Sequence, residues 1–313
     1  MTVSDFYKSI FGCKVYKISL NSSCTCPNRD GTKGFGGCIF CSEVGSGDFA
    51  PSKNLSIVEQ IKNAKLKVQK KALGRSGKNE HKYIAYFQNF TSTYGDEELL
   101  KQKFLESLSD SEVLGLAVAT RADCLSDSMI SFFAELSKRF FVQIELGLQT
   151  SDETTGIFIN RCFSNLDYIN TVKKIQEASQ KIHIVTHLIF GLPDENRQTM
   201  LNSVRFVCKF NASAKASFDS KNAESFINYF GIKITCLYVV QNTKLAELYL
   251  KGECSVLEKE TYFSLVKDAL KILPSSCVIH RLTGDPPKKT VIAPLWACDK
   301  KRVLNELRAM TKV

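Results

Sequence analysis

Long hydrophobic runs are missing from this sequence: no apolar segment of its 313 residues approaches the roughly 20 needed to cross a bilayer. The start of the chain also lacks the hydrophobic stretch of a secretory signal and the arginine-rich pattern of a transit peptide. We therefore expect a cytoplasmic protein without membrane spans. Internal repeats and long low-complexity segments are absent as well, and the 44% hydrophobic content is ordinary for a globular protein with a sizeable core.

Cysteine, by contrast, is abundant: there are twelve, and four of them lie close together. In a reducing compartment such a cluster indicates metal binding rather than disulfide bonds. The four are Cys24, Cys26, Cys38 and Cys41. The glycine-rich segment between the two pairs permits the backbone angles needed to wrap around one centre.

Two kinds of metal site fit this loop. Three thiolates from one loop can bind three irons of a [4Fe–4S] cluster and leave the fourth iron open. A structural zinc site that uses all four thiols is the alternative. The Cys-x-Cys spacing of Cys24 and Cys26 is less usual for zinc, so the spacing modestly favours iron–sulfur.

The formal net charge of +10 is concentrated in two basic stretches. The first contains Lys62, Lys65, Lys67, Lys70, Lys71, Arg75, Lys78 and Lys82, and the second contains Lys288, Lys289, Lys300, Lys301, Arg302 and Arg308. A polyanion such as RNA is a natural partner for such a chain, and a solvated lysine-rich surface explains the charge equally well.

Apolar and β-branched runs alternate with helix-period segments, which is typical of βαβ units around a parallel sheet. The predicted strands are Lys14–Leu20, Tyr83–Gln88, Val113–Ala119, Phe141–Leu146, Ile182–Ile189 and Ile232–Val240. The predicted helices cover 55–72, 96–108, 126–138, 165–179, 195–209, 243–251, 258–272 and 299–311.

These elements predict an α/β fold, a partial (β/α)6 barrel with a C-terminal helical extension. We place the barrel in residues 1–242 and the extension, which caps it, in 243–313. Residues 210–228, rich in Ser, Asn, Ala and Lys, are expected to be a surface insertion. Ligands gather at the carboxyl ends of the strands in such barrels, and the cysteine loop follows the first predicted strand.

Several ordered motifs accompany the cysteine loop. The loop reads Cys26-Pro-Asn-Arg-Asp-Gly-Thr…Gly36-Gly-Cys-Ile-Phe-Cys41, and later motifs include Tyr83-Ile-Ala-Tyr-Phe-Gln88, Glu145-Leu-Gly-Leu-Gln-Thr150, His187-Leu-Ile-Phe-Gly-Leu-Pro193 and Ala293-Pro-Leu-Trp296. Together they resemble the Elp3-like/coproporphyrinogen-dehydrogenase-like branch of the radical S-adenosylmethionine (SAM) enzymes, almost from end to end.

The resemblance implies a radical SAM barrel with a [4Fe–4S] cluster and S-adenosylmethionine as cofactors. It further implies a ferredoxin or flavodoxin type electron donor and a 5′-deoxyadenosyl radical that abstracts a hydrogen from the substrate. Bacterial members of this family are associated with tRNA wobble uridine, where carboxymethylaminomethyl-uridine becomes aminomethyl-uridine. We therefore expect a tRNA partner and a tRNA-modifying enzyme.

The resemblance also implies which residues hold the cofactors. Cys26, Cys38 and Cys41 would bind the cluster, whereas Cys24 stands where relatives usually carry an apolar residue. The residues implied for SAM are Gln88, Glu145, Gln149, Arg161, Gly191 and Pro193.

Each SAM residue has a structural alternative. Glu145 and Gln149 interrupt an apolar strand end, which favours a site over a core role. Arg161 would grip the cofactor carboxylate or make a surface ion pair. Gly191 and Pro193 would let the backbone approach the adenine or merely end a strand. Gln88 would bind the methionine amino group or hydrogen-bond at the barrel rim.

The substrate side departs from the family. Cys162 and Phe163 replace Gly-His, and Thr235 and Tyr238 stand where relatives carry histidine. Further substrate-side candidates, which a buried salt-bridge network explains nearly as well, are Arg121, Asp123, His280, Arg281 and Asp285. The role of His187 stays open. A zinc-stabilised RNA-binding protein without catalysis and a radical SAM enzyme acting on a small molecule such as a porphyrin are the alternative functions.

Overall fold

A computed structural model describes residues 1–42, 45, 51–73, 81–212 and 229–311. The strands are β1 Lys14–Leu20, β2 His81–Phe87, β3 Val113–Thr120, β4 Phe141–Gln149, β5 His183–Phe190, β6 Phe230–Cys236, β7 Val239–Val240, β8 Cys277–Arg281 and β9 Val291–Ala293. The helices are α1 Val3–Phe11, α2 Ile57–Leu73, α3 Glu97–Ser107, α4 Asp127–Leu136, α5 Glu153–Phe158, α6 Asn165–Ala178, α7 Arg197–Asn211, α8 Lys244–Leu250, α9 Lys259–Ile272 and α10 Lys300–Thr311.

Within these residues, seven strands form one parallel sheet in the order β1–β2–β3–β4–β5–β6–β8. The sheet curls into an open, partial (β/α) barrel with helices outside it, so the predicted fold class is confirmed. Because both faces of such a sheet are covered, its strands are almost continuously apolar. In β3, for example, Leu116, Ala117 and Val118 have no exposed surface.

The helices are held in place by caps and by aromatic packing. The Asp96 and Ser126 side chains accept hydrogen bonds from the first turns of α3 and α4. Those helices then bury Phe104 and Phe133 against the sheet, and the Phe104 ring lies 5.0 Å from that of Phe87 on β2. Burying each large aromatic side chain stabilises the fold by roughly 1.5–3 kcal/mol.

The six strands and eight helices predicted from the sequence are present, and the differences are a divided strand and several additional elements. The sheet gains a seventh strand, β8, from within the segment that we expected only to cap the barrel. The last predicted strand is divided, because β6 ends at Cys236 and Val239–Val240 turn away to pair with β9. The short helices α1 and α5 were also not predicted, and 213–228 of the expected insertion lie outside the described residues.

Helix α1 closes the amino-terminal end of the barrel. Its buried Phe6 ring lies 4.7 Å from the His183 ring on β5, and the Tyr7 hydroxyl donates to Gln143 on β4 at 2.9 Å. These contacts cover the amino-terminal end of the barrel interior. In the described ranges no helix is long and apolar enough to span a membrane.

Candidate cofactor and substrate cavity

A cavity of about 310 Å³ lies at the carboxyl ends of the strands, where the fold predicts a ligand site. Its walls come from the cysteine loop, from the ends of β2 to β6 and from the segment after β8. Seven predicted site residues line it: Cys26, Cys38, Cys41, Gln88, Glu145, Gln149 and Arg161. Gly191 and Pro193 are not part of this lining.

The cysteine loop is shaped by glycine and held by two asparagines. Gly36 and Gly37 have φ values of +76° and +82°, which side chains of other residues rarely tolerate. The Gly37 N–H donates to the Asn28 carbonyl at 2.7 Å, and the Asn160 amide donates to the Gly37 carbonyl at 2.8 Å. The loop is therefore fastened to the turn after α5.

The electrostatics of the loop favour a thiolate at Cys41, whereas the hydrogen bond with Cys41 and burial raise the pKa of Cys38. The hydrogen bond from the Cys38 thiol and the charge of the Arg29 guanidinium lower the pKa of Cys41 to about 7. Iron binds the thiolate and not the thiol, so cationic neighbours help to prepare a ligand. The donor set of three soft thiols on one wall of a cavity thus fits a [4Fe–4S] cluster.

Cys24 belongs to a different environment. Its side chain packs against the main hydrophobic core, and burial raises its pKa. The zinc alternative, which needs a fourth thiol beside the other three, loses that ligand. In the described parts of the chain no three Cys, His, Asp or Glu side chains could share one metal ion. A [4Fe–4S] cluster binds each thiolate through a different iron.

Gln149 is turned toward the cavity by a bulge. The register between β4 and β5 shifts between Gly147 and Gln149, and Gln149 has a φ of +65°. A β-carbon on Gly147 would lie 2.5 Å from the Gln149 amide, so a larger residue there would require the Gln149 side chain to shift. Bulges and left-handed non-glycine residues are frequent at functional sites.

Arg161 is buried, and protein acceptors occupy its guanidinium. Nε donates to the Phe163 carbonyl at 2.9 Å, and Nη1 donates to the carbonyls of Leu148 and Thr150. Nη2 donates to Glu153 at 2.8 Å and to Asn165 at 3.2 Å. All five N–H groups are thus used. Gripping a cofactor carboxylate would require Arg161 to exchange one of these partners.

Glu145 is the centre of a polar layer across the barrel interior, and its side chain has no exposed surface. One carboxylate oxygen accepts from Lys17 at 2.7 Å. The other accepts from the Tyr86 hydroxyl at 2.6 Å, contacts the His187 ring at 2.9 Å and forms an ion pair with Lys233. This carboxylate is therefore fixed on the cavity wall by partners from four other strands.

The charges of this layer shift each other's pKa. Burial raises the pKa of Glu145, but the Lys17 and Lys233 cations outweigh it and hold that pKa well below its usual range. Burial and the neighbouring Lys17 and Arg281 cations lower the pKa of Lys233 to about 7. Burial and Lys233 lower the pKa of His187 to about 4, so its imidazole is neutral at physiological pH.

The substrate-side candidates separate into two groups. Arg121, Arg281 and Asp285 line the cavity, and Arg121 is paired with Asp123 at 2.9 Å, as a salt-bridge network predicts. His280 instead points to the closed end of the barrel, where its Nε2 lies 2.8 Å from that of His183.

Three of the four positions named above as departing from the family lie on the cavity. Phe163, Thr235 and Tyr238 are part of its lining, whereas Cys162 is not.

The segment after β5 packs beside the site rather than in it. Gly191 has a φ of +86°, and a β-carbon there would lie 2.7 Å from Leu257. Further on, the Thr150 hydroxyl donates to the Glu195 carboxylate, while the second carboxylate oxygen of Glu195 is buried without a partner among the described residues. These contacts tie the end of β4 to the loop that carries Pro193.

Glu195 gives a pH-dependence prediction. Burial raises its pKa to about 7, above its value in an unfolded chain, so its contribution favours folding at low pH and is lost as the pH rises toward 7. We expect Glu195→Gln to increase the unfolding free energy at pH 8 by about 1–3 kcal/mol and to leave it nearly unchanged at pH 4. Urea unfolding at both pH values measures this. The exposed Glu177→Gln variant is the control, and an equal change at both pH values would contradict the prediction.

Sequence reasoning did not single out Lys17, Tyr86 or Lys233. All three are polar residues inside strands that read as apolar. Lys233, in Ile-Lys-Ile, carried the clearest signal, because a charged side chain in a buried strand needs a partner. That signal identifies an unusual position without showing which carboxylate pairs with it.

Two family models together match most of this chain. The Radical SAM superfamily model matches residues 21–207, and the Radical_SAM C-terminal domain matches residues 230–312. The uncharacterized protein YtqA of Bacillus subtilis is 37% identical over 306 residues, which cover 98% of this chain and 87% of YtqA. Protein YhcC of Escherichia coli is 30% identical, with 95% of this chain and 89% of YhcC covered.

Solved structures share the fold. The archaeal Methanocaldococcus infernus Elp3 lacking its N-terminus superimposes with a TM-score of 0.62 at 14% identity, and 95% of this chain covers 63% of that one. HydG, a maturase of the [FeFe]-hydrogenase, gives a TM-score of 0.52 at 13% identity, covering 90% of this chain and 55% of HydG. Enzymes of the superfamily use a [4Fe–4S] cluster and SAM. The chain therefore belongs to the radical SAM superfamily of enzymes.

Proposed function

We propose that this radical SAM enzyme modifies the wobble uridine of tRNA, converting carboxymethylaminomethyl-uridine to aminomethyl-uridine. The observation that supports this most is the position of the second basic stretch at the rim of the cavity. Its Lys300 forms an ion pair with Asp285, which lines the cavity. Lys288 and Lys289 are exposed on the turn that leads into β9, next to the cavity-lining Val240 of β7.

The part of the first basic stretch that the structure describes around Lys65 lies toward the other end of the barrel. Lys65 on α2 is paired with Asp110 and Glu112, which precede β3 at its amino end. The exposed Lys62 and Lys67 share this helix. These cations are therefore badly placed for a substrate that enters the cavity from the carboxyl side.

The two stretches give matched variants. We expect Lys288→Glu combined with Lys289→Glu to weaken tRNA binding about tenfold or more, because reversed charges repel phosphates and fewer counterions are released. Lys62→Glu combined with Lys67→Glu has the same change in net charge, and we expect it to weaken binding less than threefold. Filter binding at several salt concentrations measures both. Equal losses in the two double variants would contradict this docking surface.

When bound, the cluster and SAM would supply the difficult chemistry, which is reductive cleavage of SAM and removal of a hydrogen atom from the substrate. The chain's own residues bind and orient. Cys26, Cys38 and Cys41 would hold the cluster, and Gln88 and Gln149 offer amides on the cavity wall. A ferredoxin or flavodoxin type protein is the proposed electron donor.

The base must leave the anticodon stack to reach this cavity, as in other enzymes that act on a nucleobase. The test is nucleoside mass spectrometry of carboxymethylaminomethyl-tRNA after incubation with the anaerobically reconstituted enzyme, SAM and a reductant. We expect aminomethyl-uridine to appear. An unchanged nucleoside profile, in a reaction that still cleaves SAM, would reject this substrate.

A further inference from the structure

Among the described residues, the cavity lining has more positive charge than its carboxylates neutralise. Two carboxylates of this part of the chain line the cavity, Glu145 and Asp285, and each already has a lysine partner outside the lining: Lys17 for Glu145 and Lys300 for Asp285. Lys233, which does line the cavity, therefore adds a second cation to a carboxylate that Lys17 already neutralises.

Three other arginines on the lining have partners of their own. Arg121 pairs with Asp123, Arg161 pairs with Glu153, and Arg29 donates to the backbone carbonyls of Cys41 and Ser42. Arg281 differs from Arg121 and Arg161, because in the described residues no carboxylate forms an ion pair with it. Its positive charge reaches the polar layer around Glu145, because it helps to lower the pKa of both Lys17 and Lys233.

Lys233 and Arg281 are also adjacent. Lys233 on β6 is in register with His187 on β5 on one side and with Arg281 on β8 on the other. The Lys233 residue is 8% exposed, whereas Arg281 is exposed to solvent. Lys233 and Arg281 are therefore two neighbouring cations, of which Lys233 lies on the inner wall of the cavity and Arg281 lies nearer the solvent.

We propose that Lys233 and Arg281 bind a carboxylate of the substrate. The inference rests on the proposed function, in which this carboxylate belongs to the carboxymethyl group on the uridine. A guanidinium donates two parallel hydrogen bonds to a carboxylate, and a lysine adds a point charge. Binding an anion there would relieve the repulsion among Lys17, Lys233 and Arg281.

A small side group suits this position better than the RNA backbone. Lys233 lies within the barrel, where it contacts Glu145 and is in register with His187 of β5. A phosphate of a folded RNA would have to enter the barrel to reach it. The exposed lysines at the rim serve backbone phosphates instead. A group on the base, carried at the end of a flexible linker, can reach the inner wall.

The test uses two nucleosides without any phosphate: 5-carboxymethylaminomethyl-uridine and its methyl ester. Their affinities for the reconstituted enzyme with SAM are measured by calorimetry. We expect the wild-type enzyme to bind the acid roughly tenfold to a hundredfold more tightly than the ester, as charged hydrogen bonds allow. In Arg281→Gln and in Lys233→Gln this ratio should fall toward one. Lys267→Gln, an exposed change on α9 with the same loss of charge, should keep the wild-type ratio.

The remaining outcomes separate three explanations. If the acid and the ester bind the wild type equally, or if the variants weaken both equally, the carboxylate site is rejected. If the variants weaken SAM binding as much as acid binding, the pair recognises the cofactor and the inference is overturned. If the acid preference holds but carboxymethylaminomethyl-tRNA is not converted, the proposed function fails and the anion site stands.

Discussion

Replacing Cys38 with alanine is expected to abolish both iron binding and SAM cleavage. Cys38 lies on the cavity wall, and its thiol contacts that of Cys41. In the sequence it stands between the other two implied ligands, Cys26 and Cys41. Without it the loop supplies two thiolates, which cannot hold a [4Fe–4S] cluster in the three-ligand arrangement. We expect iron and sulfide content after anaerobic reconstitution, and 5′-deoxyadenosine formation with dithionite, to fall to background.

Cys24→Ala is the matched control, because Cys24 comes from the same loop but packs into the core. We expect this variant to retain the cluster, the brown colour and SAM cleavage. Loss of the cluster in Cys24→Ala, or its retention in Cys38→Ala, would contradict the assignment of the ligands. Equal iron loss in both would point to a four-thiol site.

The second large effect concerns Glu145. Its carboxylate is fully buried and pairs with Lys17 and Lys233, so Glu145→Gln leaves two cations in the barrel without a counter-charge. Breaking a buried pair in this way costs about 3–5 kcal/mol of unfolding free energy. We expect the loss at pH 7, measured by urea unfolding. The added change Lys233→Met should restore part of it by removing one unpaired cation.

The pH dependence has a defined sign. The folded-state pKa of Glu145 is held below its value in the unfolded chain, so its stabilisation is present above about pH 4.3 and is lost as the pH falls toward the folded pKa. The difference between wild type and Glu145→Gln should therefore shrink in acid. Glu135→Gln, in an exposed pair with Lys138, should change stability by less than about 1 kcal/mol. A similarly small change in Glu145→Gln would show that the buried network is not stabilising.

The strands of the barrel were predictable because burial on both sides gives them a strong apolar signal. β3, for example, was predicted as Val113–Ala119 and extends one residue further, to Thr120. β8 was missed, since its five residues include His280 and Arg281 and so do not read as a buried strand. Its place in the sheet depends on β6 and on helix α9 between them, which are relations of tertiary structure.

The candidate site also has parts that the sequence predicts and parts that it does not. The thiols could be found because four cysteines in one short loop are rare and their chemistry is specific. The full occupation of the Arg161 N–H groups could not be foreseen, because three of its five acceptors are the backbone carbonyls of Leu148, Thr150 and Phe163. Which backbone carbonyl a side chain meets cannot be read from a sequence. The cavity positions of Gln88, Glu145 and Gln149 agree with the predicted SAM site, while their contacts with SAM, and the roles of Gly191 and Pro193, stay predictions.

The most direct test of the proposed reaction measures whether a hydrogen atom is transferred from the substrate methylene to 5′-deoxyadenosine. The reconstituted enzyme is given SAM, a reductant and tRNA whose uridine substituent carries deuterium on the methylene between the amine and the carboxylate. Mass spectrometry then weighs the 5′-deoxyadenosine that is formed. We predict 5′-deoxyadenosine that contains one deuterium, together with aminomethyl-uridine in the tRNA. Unlabelled 5′-deoxyadenosine, or loss of the carboxymethyl group without any 5′-deoxyadenosine, would contradict the account.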